Sequence, residues 1–150
     1  MSDDRLRLIP TDPAWVPDDV ALRRAVRVLR TLAPDAGSVR GAVHDEVVFV
    51  DAGSNAERIG CPACGAALEE EWWAGRVERA AATGYARLAV TTPCCATRTT
   101  LNDLDHVWPA GFARAELVVS VPRRGWLTEE ELKQVAAALG HDVREVRTGA

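Results

Sequence analysis

All four cysteines of the chain fall between residues 61 and 95, two in Cys61-Pro62-Ala63-Cys64-Gly65 and two side by side in Pro93-Cys94-Cys95. A Cys-x-x-Cys turn lets two thiolates converge on one ion. Proline presets such a turn, and glycine permits the left-handed backbone that directs amides toward sulfur. Joined as C-x2-C-x29-C-C, the two clusters would tie distant turns to a single point, a stronger restriction on the fold than any hydrophobic pattern. The expected metal ligands are therefore Cys61, Cys64, Cys94 and Cys95, and the expected cofactor is Zn2+. The second pair departs from the usual spacing. Adjacent residues of an extended strand point to opposite faces, so both reach one ion only if the backbone bends sharply at Pro93. Without that bend, one of the pair binds, and His106, or in second place His44 or Asp103, supplies the fourth donor.

The surroundings of the cysteines narrow their chemistry. The N-terminal MSDDRLRLIP has no apolar core of the secretory kind, and no apolar run reaches the roughly 18 residues of a membrane span, so a cytoplasmic protein with no membrane partner is expected. In a reducing compartment clustered cysteines point to metal or redox chemistry rather than disulfides. A closed four-thiolate site has no open position for a substrate, which favours structural zinc over a catalytic ion held by three ligands and a water. Clustered thiols also suit an iron–sulfur cluster or a redox Cys-x-x-Cys; the thioredoxin-like strand and helix that the latter requires are not evident.

Outside the cysteine region the hydrophobic pattern is regular. Arg5 to Ile9 alternates as a strand, and a helix beginning near Pro17 or Asp18 repeats Leu22, Ala25, Val26, Leu29 and Leu32 on one face. HDEVVFVDAG reads as a strand centred on Val47 to Val50 with a turn in DAGSN, and Phe112 to Val121 as another strand. The last helix has Thr128 as N-cap, Glu131 completing a capping box, a stripe of Leu132, Val135, Ala136 and Leu139, and Gly140 as a left-handed cap before the strand HDVREVR. This order predicts an α+β ferredoxin-like split βαβ sandwich. The 150 residues would form a single domain with a zinc-knuckle insertion, at about 54–109, between the second and third strands. Within the insertion, Glu69 to Ala82 reads as a helix ended by Gly84, and YARLAVTT as a strand.

Three further features bear on function. Thr99, Thr100, Asn102, Asp103, Asp105 and His106 could line a pocket, but no nucleophile with a neighbouring base accompanies them. The favoured reading is a helical turn capped by Asn102 or Asp103, with Asp105, His106 and Trp108 orienting a corner against the sheet, as a turn is for Asp51. Arg23, Arg27 and Arg30 share one helical stripe that Arg40, Arg123 and Arg124 would extend if the fold brought them near; a solvated face is the ordinary explanation and an acidic partner the functional one. Trp72 and Trp73 lie about 100° apart on a helix, so one indole is expected to pack and the other to lie at an interface or over the metal.

FVDAGSN, CPACGAALEEEWW, TPCC and TTLNDLDHVWPAGFARAEL resemble a family of small uncharacterised bacterial, notably actinobacterial, proteins with CPxCG, PCC and SLNDLxYxWPxGFA-like segments. The resemblance spans about Pro10 to Val146 and implies a bacterial cytosolic protein, but no reaction. His106 stands where the family pattern has tyrosine, which favours the four cysteines as ligands.

The leading expectation is a non-enzymatic zinc-containing interaction protein, an adaptor, regulator or immunity-type inhibitor, whose partner is another protein. A metal-dependent hydrolase or nucleic-acid-processing enzyme using Asn102 to His106 comes second. A nucleic-acid-binding zinc ribbon comes third, because a net charge of −4 opposes phosphate backbones.

Overall fold

The computed structural model describes residues 4–52 and 58–149, so much of the turn expected in DAGSN, and the expected start of the insertion, lie outside the described residues. The described residues are mixed α and β, with three helices and a four-stranded antiparallel sheet. The sheet strands are β1 (Arg5–Pro10), β2 (Ser38–Val50), β7 (Gly111–Ser120) and β8 (Val143–Thr148), in spatial order β2-β7-β1-β8. Leu6 and Leu8 of β1 lie opposite Val119 and Leu117 of β7, placing these four on one face. That face is covered by α1 (Asp19–Leu32), through Ala25 and Leu29, and by α3 (Glu129–Leu139), through Val135, Ala138 and Leu139. Each fully buried leucine or valine here contributes about 1.5–3 kcal/mol.

Local signals set the helix ends. Asp18 accepts the Ala21 amide at 2.7 Å, starting α1 one residue later. In α3, Thr128 and Glu131 form the reciprocal capping box, and Gly140 closes the helix at φ 96°. Ala138, rather than Ala136, completes the buried stripe.

The second strand is longer than the sequence suggests. Its first half, from Ser38, exposes Arg40 and Val43 at the sheet edge, so no alternation marks it; the ladder from Ser38–Ser120 to Val43–Ala115 holds it in place. The register shifts between Val43 and Val48, after which Phe49 pairs with Phe112.

Phe49 and Phe112 stack on the opposite face, with ring centroids 4.9 Å apart, and the segment between β2 and β7 is built over them. That segment comprises β3 (Ile59–Gly60), α2 (Glu70–Ala81), β4 (Ala89–Thr91), β5 (Arg98–Thr100), a 3-10 turn (Leu101–Asp103) and β6 (Asp105–His106). β3 pairs with β6, and β4 with β5. The strand expected over YARLAVTT shrinks to Ala89–Thr91, because Gly84 and Tyr85 both adopt left-handed backbone and turn Tyr85 and Leu88 into the Phe112 cluster. Trp73 lies edge-on to His106 at 5.2 Å and near Phe49, while Trp72 packs partly against the same cluster beneath the Arg76 guanidinium. Trp126 is 42% exposed, edge-on to Trp108.

Arg124 does not extend the arginine stripe. Its guanidinium donates to both oxygens of Glu131, at 2.7 and 2.9 Å, and to the Leu32 carbonyl at 2.6 Å, joining α3 to the end of α1. The Arg124 hydrogen bonds, followed by the Thr128 amide, pull the Glu131 carboxyl down from 4.5 to about 2. Because the folded value lies below the unfolded one, the contribution of Glu131 to stability is full above pH 4.5 and is lost as pH falls toward about 2. Burial pushes the Glu145 carboxyl upward, so its contribution has the opposite sign, present at low pH and lost as pH rises through its raised value. Urea unfolding of Glu131→Gln against wild type should show a stability gap that is full at neutral pH and closes between pH 4.5 and about 2; a gap independent of pH contradicts the assignment.

Candidate metal centre

Two turns present the cysteines, and they share one hydrogen-bond scheme. In the first, just after β3, the Cys61 amide donates to the Ala66 carbonyl at 2.9 Å and the Gly65 amide returns to the Cys61 carbonyl at 2.9 Å. In the second, enclosed by the β4–β5 hairpin, the Thr92 amide donates to the Thr97 carbonyl at 2.9 Å and the Ala96 amide returns to the Thr92 carbonyl at 3.0 Å. The fifth residue of each turn is left-handed, Gly65 at φ 75° and Ala96 at φ 56°. Thr-Pro-Cys-Cys-Ala-Thr is thus in register with Cys-Pro-Ala-Cys-Gly-Ala. Cys95 occupies the place of Cys64, Thr92 that of Cys61, and Cys94 that of Ala63. Pro93 to Cys95 form a turn, not extended strand, which removes the geometric objection to adjacent ligands.

The four sulfurs lie within 4.8 Å of one another. Cys61 and Cys95 are 3.7 Å apart, Cys64 and Cys94 3.4 Å, and Cys94 and Cys95 3.9 Å. A disulfide needs about 2.05 Å, and all four thiols are free. Metal–sulfur bonds of about 2.3 Å in a tetrahedron put sulfurs about 3.8 Å apart, so the observed edges fit one small ion at the centre. Cys61 is buried among Leu68, Leu101, Leu104 and Phe112, while the other three thiols are exposed, so the group is anchored in the core and opens to the surface.

Electrostatics separates the thiols. The backbone N–H of Cys64, helped by that of Ala63, pulls Cys61 down to about 6. The hydroxyls of Thr97 and Thr92 lower Cys95. At Cys64 the Ala66 amide favours the thiolate, but the Cys94 sulfur, burial and the sulfurs of Cys61 and Cys95 outweigh it and push the group up to about 12. Four sulfurs this close cannot all ionise without a cation between them.

Among the described residues, the four cysteines are the group of metal-ligand types that converges, and His106, His44 and Asp103 do not belong to it. His106 sits 3.2 Å from the Leu101 carbonyl, and burial lowers its pKa. His44 lies 3.8 Å from Glu116 on the main sheet.

Within the polar run after the second turn, Thr100, Asn102, Asp103 and His106 have partners inside the protein. Thr100, not Asn102 or Asp103, caps the 3-10 turn, accepting the Asp103 amide and donating to its carboxylate at 2.8 Å. Buried Asn102 accepts the Phe112 amide at 2.9 Å and donates to the Thr11 carbonyl at 3.1 Å, while Arg144 donates to its backbone carbonyl at 2.9 Å. The Trp108 indole donates to the Arg147 carbonyl at 3.0 Å. Asn102 and Asp103 border a cavity of about 900 Å³ between the segment and β2, but Asp51, Asp105 and His106 are not among its lining residues.

Sequence reasoning missed Thr92, which is buried with its hydroxyl 3.5 Å from the Cys95 sulfur. The signal was present as the alignment of TPCCA with CPACG.

Equivalence of the two turns has a direct consequence. Cys94→Ala should lose the metal, and adding Thr92→Cys should restore it by recreating Cys-x-x-Cys, as read by metal content; failure of the double variant while the protein stays folded contradicts the equivalence. Ala96→Gly should raise the unfolding free energy by about 1 kcal/mol in urea titrations, since a left-handed Ala costs roughly that amount and Gly does not. No family model matches the chain, and neither a curated protein nor a solved structure matches it, so the functional reading rests on this geometry.

Proposed function

We propose that the chain is a non-enzymatic interaction protein in which Cys61, Cys64, Cys94 and Cys95 hold one structural zinc ion. The observation that carries this reading is the convergence of four free sulfurs within 4.8 Å of one another, three of whose separations, 3.4, 3.7 and 3.9 Å, are close to the edge of a tetrahedral zinc site. A bound zinc would supply the positive charge that four thiolates require and cross-link the two turns. With four protein ligands, no coordination position remains for substrate.

The fold part of the reading is a ferredoxin-like split βαβ sandwich carrying a zinc insertion between its second and third main strands. It is supported by the order β2-β7-β1-β8 and by α1 and α3 sharing one face. An enzymatic reading needs Asp51, Asn102, Asp103, Asp105 and His106 in one cleft. Against it, the cavity takes two of them at its border, and Asn102 and His106 are engaged with backbone groups. Among the described residues no helix is long and apolar enough to cross a membrane.

Elemental analysis of natively purified protein tests the metal. One zinc per chain is expected, lost in Cys94→Ser and in Cys95→Ser, with chelation raising hydrogen exchange chiefly across residues 59–106. Folded wild-type protein without metal, or with full zinc in either variant, contradicts the site. Turnover of phosphoester or peptide substrates by the zinc-loaded protein, with no stoichiometric partner retained on affinity capture, contradicts the non-enzymatic part.

A further inference from the structure

We infer that the groove between α1 and the edge strand β2 docks an acidic, leucine-bearing segment of a partner protein, a step that rests on the interaction-protein reading above. The groove encloses about 470 Å³, with Arg23, Arg27, Arg30 and Arg40 on its walls and Leu22 and Val26 on its floor. The fold brings Arg40 from β2 beside a stripe that α1 already carries, so charges from two elements meet over one apolar trough.

These arginines are not used internally. Among the described residues none of the four makes a salt bridge, all four are exposed, and their one side-chain hydrogen bond is a long 3.5 Å contact from Arg30 to the Val39 carbonyl. Arg24 and Arg124, by contrast, are consumed in joining helices, through the Ala138 carbonyl and Glu131. Four unpaired guanidiniums cost mutual repulsion that an acidic ligand would relieve.

The dimensions select a segment rather than a small anion. Arg23, Arg27 and Arg30 climb one helical face, and seven residues rise about 10.5 Å, a length that several carboxylates along a peptide can span. The aliphatic floor asks for apolar anchors between those carboxylates. No aromatic ring lines the groove, so stacked bases find no platform, and a chain of net charge −4 repels a long polyanion beyond the groove itself. β2 is also the last strand of the sheet on that side, leaving backbone groups at the rim.

Fluorescence anisotropy tests this on the full zinc-loaded chain. The probes are a labelled peptide alternating glutamate and leucine, a glutamate–serine peptide, a lysine–leucine peptide and single-stranded DNA of similar length. The glutamate–leucine peptide should bind best, more weakly with added salt, and at least about tenfold more weakly to Arg27→Glu/Arg40→Glu or the milder Arg27→Gln/Arg40→Gln. Circular dichroism and zinc content serve as folding controls. Absence of binding, equal binding by the variants, equal binding of the glutamate–serine peptide, or tighter binding of DNA each overturns the assignment. If the peptide fails while wild type and both variants retain the same stoichiometric partner on capture, the groove is wrong and the interaction reading stands; loss of the partner together with substrate turnover fails that reading itself.

Discussion

Two turns that lie thirty residues apart in the chain deliver four sulfurs to within 4.8 Å of one another, and this convergence ties together distant parts of the segment between β2 and β7. Sulfur is large and its anion repels its neighbours, so such a cluster is stable only as shared thiols or around a cation. Donors around two of the sulfurs suit the thiolate form. Amides of Cys64 and Ala63 are aimed at the Cys61 sulfur, and hydroxyls of Thr92 and Thr97 at that of Cys95. The buried Cys61 connects this polar centre to Phe112, and through Phe112 to the sheet. A metal bound there would act less as a reagent than as the tie that keeps a thinly cored segment on the sheet face.

Asn102 makes the complementary attachment without any metal. Its amide side chain joins the Phe112 backbone on β7 to the Thr11 carbonyl after β1, and Arg144 of β8 donates to the Asn102 backbone carbonyl. Three sheet strands thus converge on one residue of the 3-10 turn. Gly111 permits the approach, since a Cβ there would come within 2.9 Å of the Asn102 side-chain oxygen. Among the polar residues after the cysteines, Thr100, Asn102 and His106 orient this corner through bonds within the protein.

How much of this was legible in the sequence depended on whether the signal was local. Thr128, Glu131 and Gly140 declare the ends of α3 because capping is decided within a few residues. The first half of β2 could not be read: Ser38, Arg40 and Gly41 have no strand pattern, and only pairing with β7, together with the close approach of Leu22 to Gly41, makes them a strand. The four cysteines were legible as a group, and their convergence agrees with it. The adjacency of Cys94 and Cys95 conflicts with a shared ion only on an extended strand; a threonine in the first position of a second knuckle disguised the turn. Arg40 beside Arg27 and Arg124 beside Glu131 are products of tertiary contact, which no local spacing encodes.

In the proposed site all four sulfurs bind one zinc ion. X-ray absorption at the zinc edge of natively purified protein measures this directly. A single shell of four sulfur atoms at about 2.3 Å is expected. A shell of three sulfurs with a nitrogen or oxygen neighbour, or a short metal–metal distance characteristic of a cluster, would contradict it.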